Sequence, residues 1–414
     1  MNRTFPLSPP LAPLSAFSPE APHSAARRRL LGALALSPLA AALPTAAQQV
    51  GSACLPAVDW SSFAARHVQA DGRVVDLDTP QHQSTSEGQS YALFFALVHD
   101  DPQNFARVLE WTENNLAGGS LESRLPAWQW GRKPDGSWGV LDTNPASDAD
   151  LWIAYALLEA GRLWNEPRHL ALGRSVLARA AREEVVKLPG LGAMLLPWPA
   201  EIAKGPAWRL NPSYLPMQLL RRFQQEGAGP WPEIADNTVR MIGATAPQGF
   251  SPDWCAWDEN AKAFVADPEK GYVGSYDAIR VYLWAGMLNA ADPARQPLLK
   301  SLYGPRRVLG QSNTMPEFVD TATGAARGTG PVGFSGALLP YLKAQNLAPL
   351  LSAELARVRA RVGGPVQPAA KPLPYYERML LLFGQAWLDG RYAFSRTGQL
   401  QTHWSLLCPA TQLA

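Results

Sequence analysis

The amino-acid sequence predicts an all-α protein, an (α/α)6 barrel in which paired helices close into a ring within a single domain. Amphipathic helical segments follow one another from residue 58 to residue 388, and connections rich in Pro and Gly separate them. No Ser/Gly-rich linker or run of like charges divides the chain. Strand-like patterns are sparse and limited to residues 73–76 and 128–140. Helical periodicity alone leaves an α-solenoid open as an alternative.

The helices are predicted from apolar residues that recur every three or four positions and from prolines that fall between the segments. In the segment 148–164, Ile153, Leu157 and Ala160 fall on one face, so this helix is expected to pack inward. Twelve such segments make six hairpins, as a barrel of this type requires. The predicted helices span 58–68, 87–99, 102–117, 148–164, 167–184, 211–225, 231–244, 274–290, 294–302, 333–345, 348–361 and 374–388.

The N-terminal segment 1–47 has the pattern of a cleaved signal peptide. Three arginines at 27–29 precede a short apolar run at 30–36, and small residues end at Ala47. Adjacent arginines leave twin-arginine export open beside the general route. Pro38 and Pro44 interrupt the apolar run, which disfavours a retained membrane anchor. We therefore expect a periplasmic or secreted protein whose barrel domain spans 48–414.

Charge and composition indicate which partners to expect. The whole chain carries a formal charge of +2, but the segment 1–47 contributes +3, which leaves about −1 for the predicted mature chain. We therefore expect no nucleic-acid partner. No segment after the signal peptide approaches the length of a membrane span. The chain has 15 tryptophans against 13 phenylalanines, and tryptophan offers flat faces on which sugar rings stack.

The three cysteines are Cys54, Cys255 and Cys408. An exported protein can form a disulfide, and one between Cys54 and Cys408 would join the two ends of the mature chain. Cys255 is then expected to be a buried thiol. Because no Cys or His pairs stand at ligand spacing, we expect no metal site and no cofactor.

Two carboxylates open apolar helices and are expected to point out of one end of the barrel. Glu87 lies in Ser-Glu-Gly-Gln-Ser-Tyr at 86–91, and Asp148 lies in Ala-Ser-Asp-Ala-Asp at 146–150. The spacings Ser84 to Glu87 and Ser147 to Asp150 also fit capping boxes, which is the structural alternative. A helix N-terminus favours an ionised carboxylate, whereas a general acid needs a raised pKa. Glu87 can be that acid only if burial or a second carboxylate outweighs the helix dipole.

Asp277 opens a third apolar helix, and Arg280 follows one turn later. An ion pair within the helix is the structural explanation of this spacing. The functional explanation is that an arginine keeps a neighbouring carboxylate ionised, as a general base requires. Inverting glycosidases use such an acid and base about 6.5–9.5 Å apart. Carboxylates at the rim of an aromatic-rich helical scaffold therefore indicate hydrolysis of a sugar polymer.

A segment rich in aromatic residues is the predicted sugar-binding wall. Trp128, Trp130 and Trp138 lie within a loop that also carries several glycines, which is poor core material. Tyr214, in Asn-Pro-Ser-Tyr at 211–214, is a further candidate. The alternative for each is packing in the core.

These segments resemble glycoside hydrolase family 8. The resemblance rests on 146–150 with its helix continuing to Trp164, on 86–91 and on Tyr-Asp-Ala-Ile-Arg at 276–280, in the expected order. Segments 211–214 and 375–376 are also similar, and the match extends from about residue 54 to 408. Segments 130–133 and 277–284 most resemble the periplasmic endoglucanases of bacterial cellulose synthesis operons.

The resemblance implies an (α/α)6 barrel and an inverting attack on internal β-1,4-glucosidic bonds of cellulose without a metal. It implies Glu87 as general acid, Asp277 as general base, and Asp148 as a residue that orients the sugar or tunes the other two. The residues that it places along the groove are Trp130, Tyr214, Tyr276 and Arg280.

The expected partner is thus a β-1,4-glucan polysaccharide, with the cellulose synthase complex as a second candidate. Two alternatives stay open. The same fold could hydrolyse chitosan, xylan or mixed-linkage glucan, or the protein could be a non-hydrolytic glucan-binding scaffold of a synthase complex.

Overall fold

The structure is a computed structural model that describes residues 58–203, 207–364, 367–368 and 372–404. The predicted signal peptide and both residues of the expected disulfide, Cys54 and Cys408, lie outside these ranges. Cys255 is a buried free thiol, as predicted. In the part of the chain that the structure describes, no helix combines the length and the apolar character that a membrane span needs.

Thirteen α-helices form the scaffold within the described residues. They are α1 Trp60–His67, α2 Ser86–Val98, α3 Pro102–Asn115, α4 Ser147–Leu163, α5 Pro167–Glu183, α6 Met217–Phe223, α7 Trp231–Thr245, α8 Ala278–Met287, α9 Arg295–Ser301, α10 Gly304–Ser312, α11 Val332–Ala344, α12 Ala348–Val362 and α13 Tyr375–Leu388. Two 3-10 turns, Ala200–Ile202 and Pro212–Tyr214, lie between α5 and α6.

Six helices form an inner ring: α2, α4, α6, α8, α11 and α13 are buried on nearly all sides. Each packs against the next in chain order, and each has an outer partner, in the order α3, α5, α7, α9, α12 and α1. The outer helices bury only one stripe, as in α5, where Gly173, Val176, Leu177 and Ala180 face inward. Because α1 contacts both α13 and α2, the ring closes. The predicted (α/α)6 barrel is confirmed, and the α-solenoid alternative is wrong.

Aromatic side chains fill the axis of the barrel. Phe383 of α13 lies 5.6 Å from Phe94 of α2 and 5.6 Å from Trp152 of α4, measured between ring centroids. Trp284 of α8 lies 5.2 Å from the same ring. Because four inner helices meet at Phe383, the carboxylates at their N-terminal ends share a rigid support.

Short antiparallel strands connect the helices. They are β1 Ser84–Thr85, β2 Gln129–Arg132, β3 Trp138–Asp142, β4 Val185–Leu188, β5 Gly192–Leu195, β6 Ala207–Leu210, β7 Cys255–Asp258, β8 Ala263–Ala266, β9 Val273–Gly274, β10 Phe318–Asp320, β11 Ala326–Arg327, β12 Gly363–Gly364, β13 Gln367–Pro368, β14 Tyr392–Phe394 and β15 Leu400–Thr402. The three-stranded sheets are β1-β2-β3, β6-β7-β8 and β9-β10-β11, and the remaining strands pair in twos. Strand β1 runs directly into α2, and β9 precedes α8, so two sheets fix the entry of helices that carry candidate catalytic residues.

The structure corrects several predicted elements. The helix expected at 211–225 is divided into a 3-10 turn and α6, and the helix expected at 274–290 is shorter, since α8 covers only Ala278–Met287. Helix α10, Gly304–Ser312, was not predicted. Strands are more numerous than the two predicted regions, although β2 falls within 128–140 and β3 begins there and ends at Asp142.

Candidate active site

Three carboxylates, Glu87, Asp148 and Asp277, meet at the guanidinium of Arg280. Nη2 of Arg280 lies 2.7 Å from Oδ1 of Asp277, and Nη1 donates a hydrogen bond to Oε2 of Glu87. Nη1 also lies 3.7 Å from Oδ2 of Asp148. The ion pair expected within α8 therefore exists, but the same arginine joins α8 to α2 and α4. A side chain with several fixed donors suits this geometry.

The first turns of α2 and α4 place two of these carboxylates. Thr85, not Ser84, caps α2 by accepting a hydrogen bond from the Gly88 N–H at 3.0 Å. The N-cap of α4 is Ala146, which has no side-chain cap. Both capping-box alternatives are therefore wrong, and the acids in these first turns are not held by box geometry.

The loop before α8 is held by Asp253, which sequence reasoning missed. Its Oδ1 accepts hydrogen bonds from the backbone N–H groups of Ser275, Asp277 and Ala278 at 2.7, 3.0 and 2.7 Å. Burial and the neighbouring Asp277 charge raise the pKa of Asp253 to about 7. Three convergent hydrogen bonds fix the backbone from which the Asp277 side chain projects.

The four charged side chains lie at two depths. The Glu87 and Asp277 side chains are 27% and 32% exposed, whereas those of Arg280 and Asp148 are both 3% exposed. Two carboxylates thus face solvent, and a buried cation and a buried carboxyl group lie beneath them. The outer pair can reach a substrate, and the inner pair can only act through them.

Burial has the largest effect on the pKa values of the buried carboxyl groups in the site. It raises the pKa of Asp148 well above its usual range, and the neighbouring Glu87 charge adds to this effect, while Arg280 opposes it. The Asp148 and Glu87 carboxyl groups lie side by side, and a hydrogen bond between them requires that one of them carries a proton. We expected a proton on Glu87, held there by Asp148. In the structure Glu87 has Arg280 as a partner, and burial raises the pKa of Asp148.

Asp277 also differs from the expectation. Its pKa is raised by burial, although Arg280 and the hydrogen bond from Trp254 lower it. Arg280 therefore favours ionisation of Asp277 without outweighing burial. Within the described ranges, no group of three or more His, Cys, Asp or Glu side chains is placed to hold a metal ion.

Polar and aromatic groups surround the guanidinium. Nη2 of Arg280 donates to Oγ of Ser213 at 2.9 Å, and Nη1 donates to the Tyr91 hydroxyl at 3.5 Å. The Tyr214 ring lies 5.9 Å from Cζ of Arg280. On the other side of Asp277, Nε1 of Trp254 donates to Oδ2 of Asp277 at 3.0 Å. Asp277 is thus held at both of its carboxyl oxygens.

The tryptophan loop forms a stack beside the start of α2. Trp130 of β2 pairs with Ser84 of β1, three residues before Glu87. Trp138 stacks on Trp130 at 5.5 Å, and the Arg73 guanidinium lies 4.3 Å from the Trp130 ring and 4.7 Å from the Trp138 ring. Trp138 is 48% exposed, which suits a sugar platform. Trp128 precedes β2 and is only half-buried, and its carbonyl accepts a hydrogen bond from the backbone N–H at the start of α2.

Tyr276 lies exposed at the entrance to α8. Its hydroxyl donates to Oε1 of Glu317 at 2.9 Å, and its carbonyl accepts a hydrogen bond from the Tyr376 hydroxyl at 2.6 Å. Burial and the Glu317 charge raise the pKa of Tyr276 to about 12, so the phenol is neutral near pH 7. Tyr276 and Tyr376 extend the aromatic lining from Asp277 toward α13.

Four groups of this site were not singled out from the sequence: Tyr91, Ser213, Asp253 and Trp254. Ser213 lies in the segment 211–214 and Tyr91 in 86–91, so the segments were found but not these side chains. Asp253 and Trp254 lie more than 20 residues before Asp277 in a segment without periodicity. An acid beside a tryptophan in a loop was the only signal for them.

Comparison with known proteins agrees with this geometry. The model of the glycosyl hydrolases family 8 matches residues 30–390. An endoglucanase of Xanthomonas axonopodis pv. citri (strain 306) is 54% identical over 387 residues, which span 93% of this chain and 99% of that protein.

Two solved structures share the fold. The endo-1,4-D-glucanase of Vibrio fischeri ES114 is 42% identical, with a TM-score of 0.75 over 84% of this chain and 99% of that one. The endo-beta-1,4-glucanase CMCax of Acetobacter xylinum is 25% identical, with a TM-score of 0.64 over 79% and 95% of the two chains. With its three carboxylates gathered on one arginine at the end of an (α/α)6 barrel, the chain belongs to the glycosyl hydrolases of family 8.

Proposed function

We propose that this glycosyl hydrolase is an inverting endo-β-1,4-glucanase. One observation carries the mechanism: the two exposed carboxylates, Glu87 and Asp277, lie on different amino groups of the Arg280 guanidinium. The two hydrogen bonds and the guanidinium between them set an upper limit to the separation of the two carboxylates. That limit leaves room for the spacing of about 6.5–9.5 Å that admits an attacking water in inverting enzymes.

In the proposed reaction Glu87 donates a proton to the glycosidic oxygen as the bond to the anomeric carbon breaks. Asp277 removes a proton from the water that attacks that carbon from the opposite face. The products are a new reducing end with inverted configuration and a new non-reducing end. Glu87 is left ionised and Asp277 protonated, and exchange with solvent restores both.

In this proposal Asp148 is the group that exchanges a proton with Glu87. The Glu87–Asp148 pair holds one proton, and the buried Asp148 favours the neutral form. When a sugar hydroxyl competes for the Arg280 contact of Glu87, the ionised form of Glu87 loses a partner, and the shared proton passes to Glu87. Asp148 is therefore a proton partner of the acid in this mechanism.

The substrate assignment rests on the family and on the aromatic surface. Relatives that align over nearly their whole length are endoglucanases. The Trp130–Trp138 stack and the exposed Tyr276 ring offer flat faces of the kind that bind glucose rings in an extended chain. Chitosan, xylan and mixed-linkage glucan are the alternatives within this fold.

We further propose that the protein is exported and acts on cellulose during its biosynthesis, beside a cellulose synthase complex. The signal-peptide pattern of residues 1–47 and the resemblance to cellulose-operon endoglucanases support this role. Fractionation of cells that express the tagged full-length chain would test the location. Recovery of the protein only in the cytoplasm would contradict it.

The first experiment is hydrolysis of carboxymethyl-cellulose by the purified protein, with viscosity and reducing ends measured together. We expect viscosity to fall rapidly while few new reducing ends appear, and we expect E87Q to lose this activity.

Proton NMR of the first products from cellohexaose should show the α-anomer. A β-anomer would overturn the inverting mechanism. Glucan binding without any new reducing ends would favour the scaffold alternative, and activity only on chitosan or xylan would reassign the substrate.

A further inference from the structure

We infer that Trp254 is a positioning residue for the base Asp277, and that Arg209 and Asp267 hold Trp254 in place. The inference rests on the proposed function, which makes Asp277 the base. Nε1 of Trp254 donates to Oδ2 of Asp277 at 3.0 Å, while Nη2 of Arg280 binds Oδ1 at 2.7 Å. With one donor on each oxygen, the plane of the carboxylate is fixed.

The Trp254 ring is itself confined on several sides. The Arg209 guanidinium lies 5.0 Å from the Trp254 ring and 5.7 Å from the Trp198 ring. Trp198 and Trp254 stack at 5.7 Å with an angle of 27° between their planes. The edge of Tyr214 contacts Trp254 at 5.9 Å. An indole between a cation, a second indole and a phenol has little freedom to turn its N–H away.

The cation of this stack is fixed by a buried carboxylate. Nε and Nη2 of Arg209 donate to the two Asp267 oxygens at 2.7 and 3.2 Å. Asp267 is 2% exposed, and its Oδ1 also accepts backbone N–H bonds from Glu269 and Lys270. A two-point Arg–carboxylate contact fixes orientation as well as distance. The contacts thus run without a break from Asp267 through Arg209 and Trp254 to Asp277.

Strand pairing explains why these residues adjoin. Leu210 at the end of β6 pairs with Cys255 at the start of β7, so Arg209 of β6 and Trp254, which directly precedes β7, lie beside this pair. Asp267 follows β8, the third strand of the same sheet. A sheet of three short strands therefore supports Trp254 on one side of the base, while Arg280 of α8 holds the other carboxylate oxygen.

A neutral donor suits a general base. The indole N–H stabilises the ionised form of Asp277 without adding a second cation, which would weaken its ability to accept a proton. Without this N–H, one of the contacts that counteract the effect of burial on the pKa of Asp277 is lost, so that pKa should rise. The change would be visible in a pH profile, whereas a loss of packing alone would not move that profile.

The kinetic test is W254F, which keeps the ring and removes the donor. We expect kcat on cello-oligosaccharides to fall about tenfold to a hundredfold, with KM changed less than about threefold, and the acidic limb of kcat/KM to move to higher pH. W208F is the matched control, because Nε1 of Trp208 donates to Oε2 of Glu259 at 3.1 Å from the same sheet. It should retain the wild-type profile. A W254F variant with a raised KM and an unmoved profile would make Trp254 a sugar contact and overturn the inference.

A second measurement does not depend on activity. In protein with ¹⁵N-labelled tryptophan, we expect the Trp254 indole resonance to titrate with pH and to lose this titration in D277N. R209Q, which removes the Asp267 contact, should broaden or shift the same resonance and reproduce the kinetic change in weaker form. An indole signal that does not respond to D277N would overturn the inference even if hydrolysis is confirmed. A responsive signal in a protein without hydrolase activity would support the contact and refute only the proposed function.

Discussion

Asp150 and Glu184 place two fully buried carboxyl groups side by side behind the active site. No N–H or O–H group from the described part of the chain reaches any of their four oxygens. Two carboxylates cannot bond to each other unless one carries a proton, which donates to the other. Burial raises the pKa of both well above the usual range. We therefore expect this pair to hold one proton near neutral pH.

The first prediction concerns the pH dependence of stability. A carboxyl group with a raised pKa in the folded state binds more protons than in the unfolded state, so the free energy of unfolding falls as pH rises above about 4. His67 and His99 act in the opposite sense, because burial lowers the pKa of each to about 4. Their effect on stability is confined to pH values below about 6.5, the ordinary pKa of histidine. Wild-type protein should therefore lose stability between about pH 6.5 and 8.5.

E184Q should reduce that loss by up to about 1.4 kcal/mol per pH unit, because an amide donor replaces the shared proton. Urea unfolding of wild type and E184Q at both ends of this range measures the difference. E183Q is the matched control, since Glu183 is the adjacent, partly exposed residue at the end of α5 and its charge makes only a smaller contribution to the raised pKa of the pair. Equal slopes for wild type and E184Q would show that the pair holds no proton.

The sequence predicts the inner helices α2, α4, α11 and α13 to within about one residue because their apolar residues are continuous. It does not predict α10, where Gly304 and Pro305 read as a connection and two arginines obscure the apolar face. Strands β4 to β8 are only four residues each, and β6 gains its hydrogen bonds from a distant partner, as when Leu210 pairs with Cys255. Such pairing has no local signature.

The same distinction holds for the active site. Glu87, Asp148 and Asp277 can be found from their segments because each opens an apolar helix. The contacts of Arg280 with Glu87 and of Trp254 with Asp277 connect residues 193 and 23 positions apart. Only the closed ring and the added sheets bring them together. The balance of burial against charge, which decides the pKa values, likewise depends on depth in the fold.

A second prediction concerns Glu159, a fully buried carboxylate in α4. It accepts from Nε of Arg222 in α6 at 2.5 Å, from Nε of Arg162 at 3.0 Å and from the backbone N–H of Leu400 in β15 at 2.7 Å. E159Q leaves the buried Arg222 charge with less compensation and should cost about 3–5 kcal/mol of unfolding free energy. Urea denaturation measures this.

The control for E159Q is R179Q, which breaks the partly exposed ion pair between Arg179 and Glu183. Because water screens such pairs, the cost should be at most about 1 kcal/mol. Equal costs for E159Q and R179Q would contradict the view that Glu159 ties α4 to α6 and to the C-terminal hairpin.

A third prediction tests the sugar platform. W138A removes the exposed ring of the Trp130–Trp138 stack and should weaken binding of long cello-oligosaccharides about threefold to tenfold, or about 1 kcal/mol. Calorimetric titration into E87Q, which should not turn over, avoids hydrolysis during the measurement. W138F is the graded control and should lose less. Unchanged affinity for every chain length would place Trp138 outside the binding groove.

A fourth prediction separates the acid from the base. E87Q should lose more than about a thousandfold of kcat on cellulose but recover much of it on an oligosaccharide with a dinitrophenolate leaving group, which needs no protonation. D277N should be inactive on both, because the water still needs a base. Recovery in D277N and not in E87Q would reverse the two assignments.

The final prediction concerns the contact between α11 and α13, where two inner helices approach closely at glycines. A Cβ on Gly384 would lie 1.9 Å from the Gly336 carbonyl oxygen, so G384A must push the two helices apart. We expect the free energy of unfolding to fall by about 3 kcal/mol or more, since overpacking of a rigid core costs about 1–3 kcal/mol and this contact is with backbone.

Gly310 in α10 is the contrasting position, because a Cβ added there would have no atom within 4 Å. G310A should therefore stabilise the protein by about 0.5–1 kcal/mol through helix propensity. Thermal melts of both variants test this contrast, and equal effects would show that the inner ring can relax around an added methyl group.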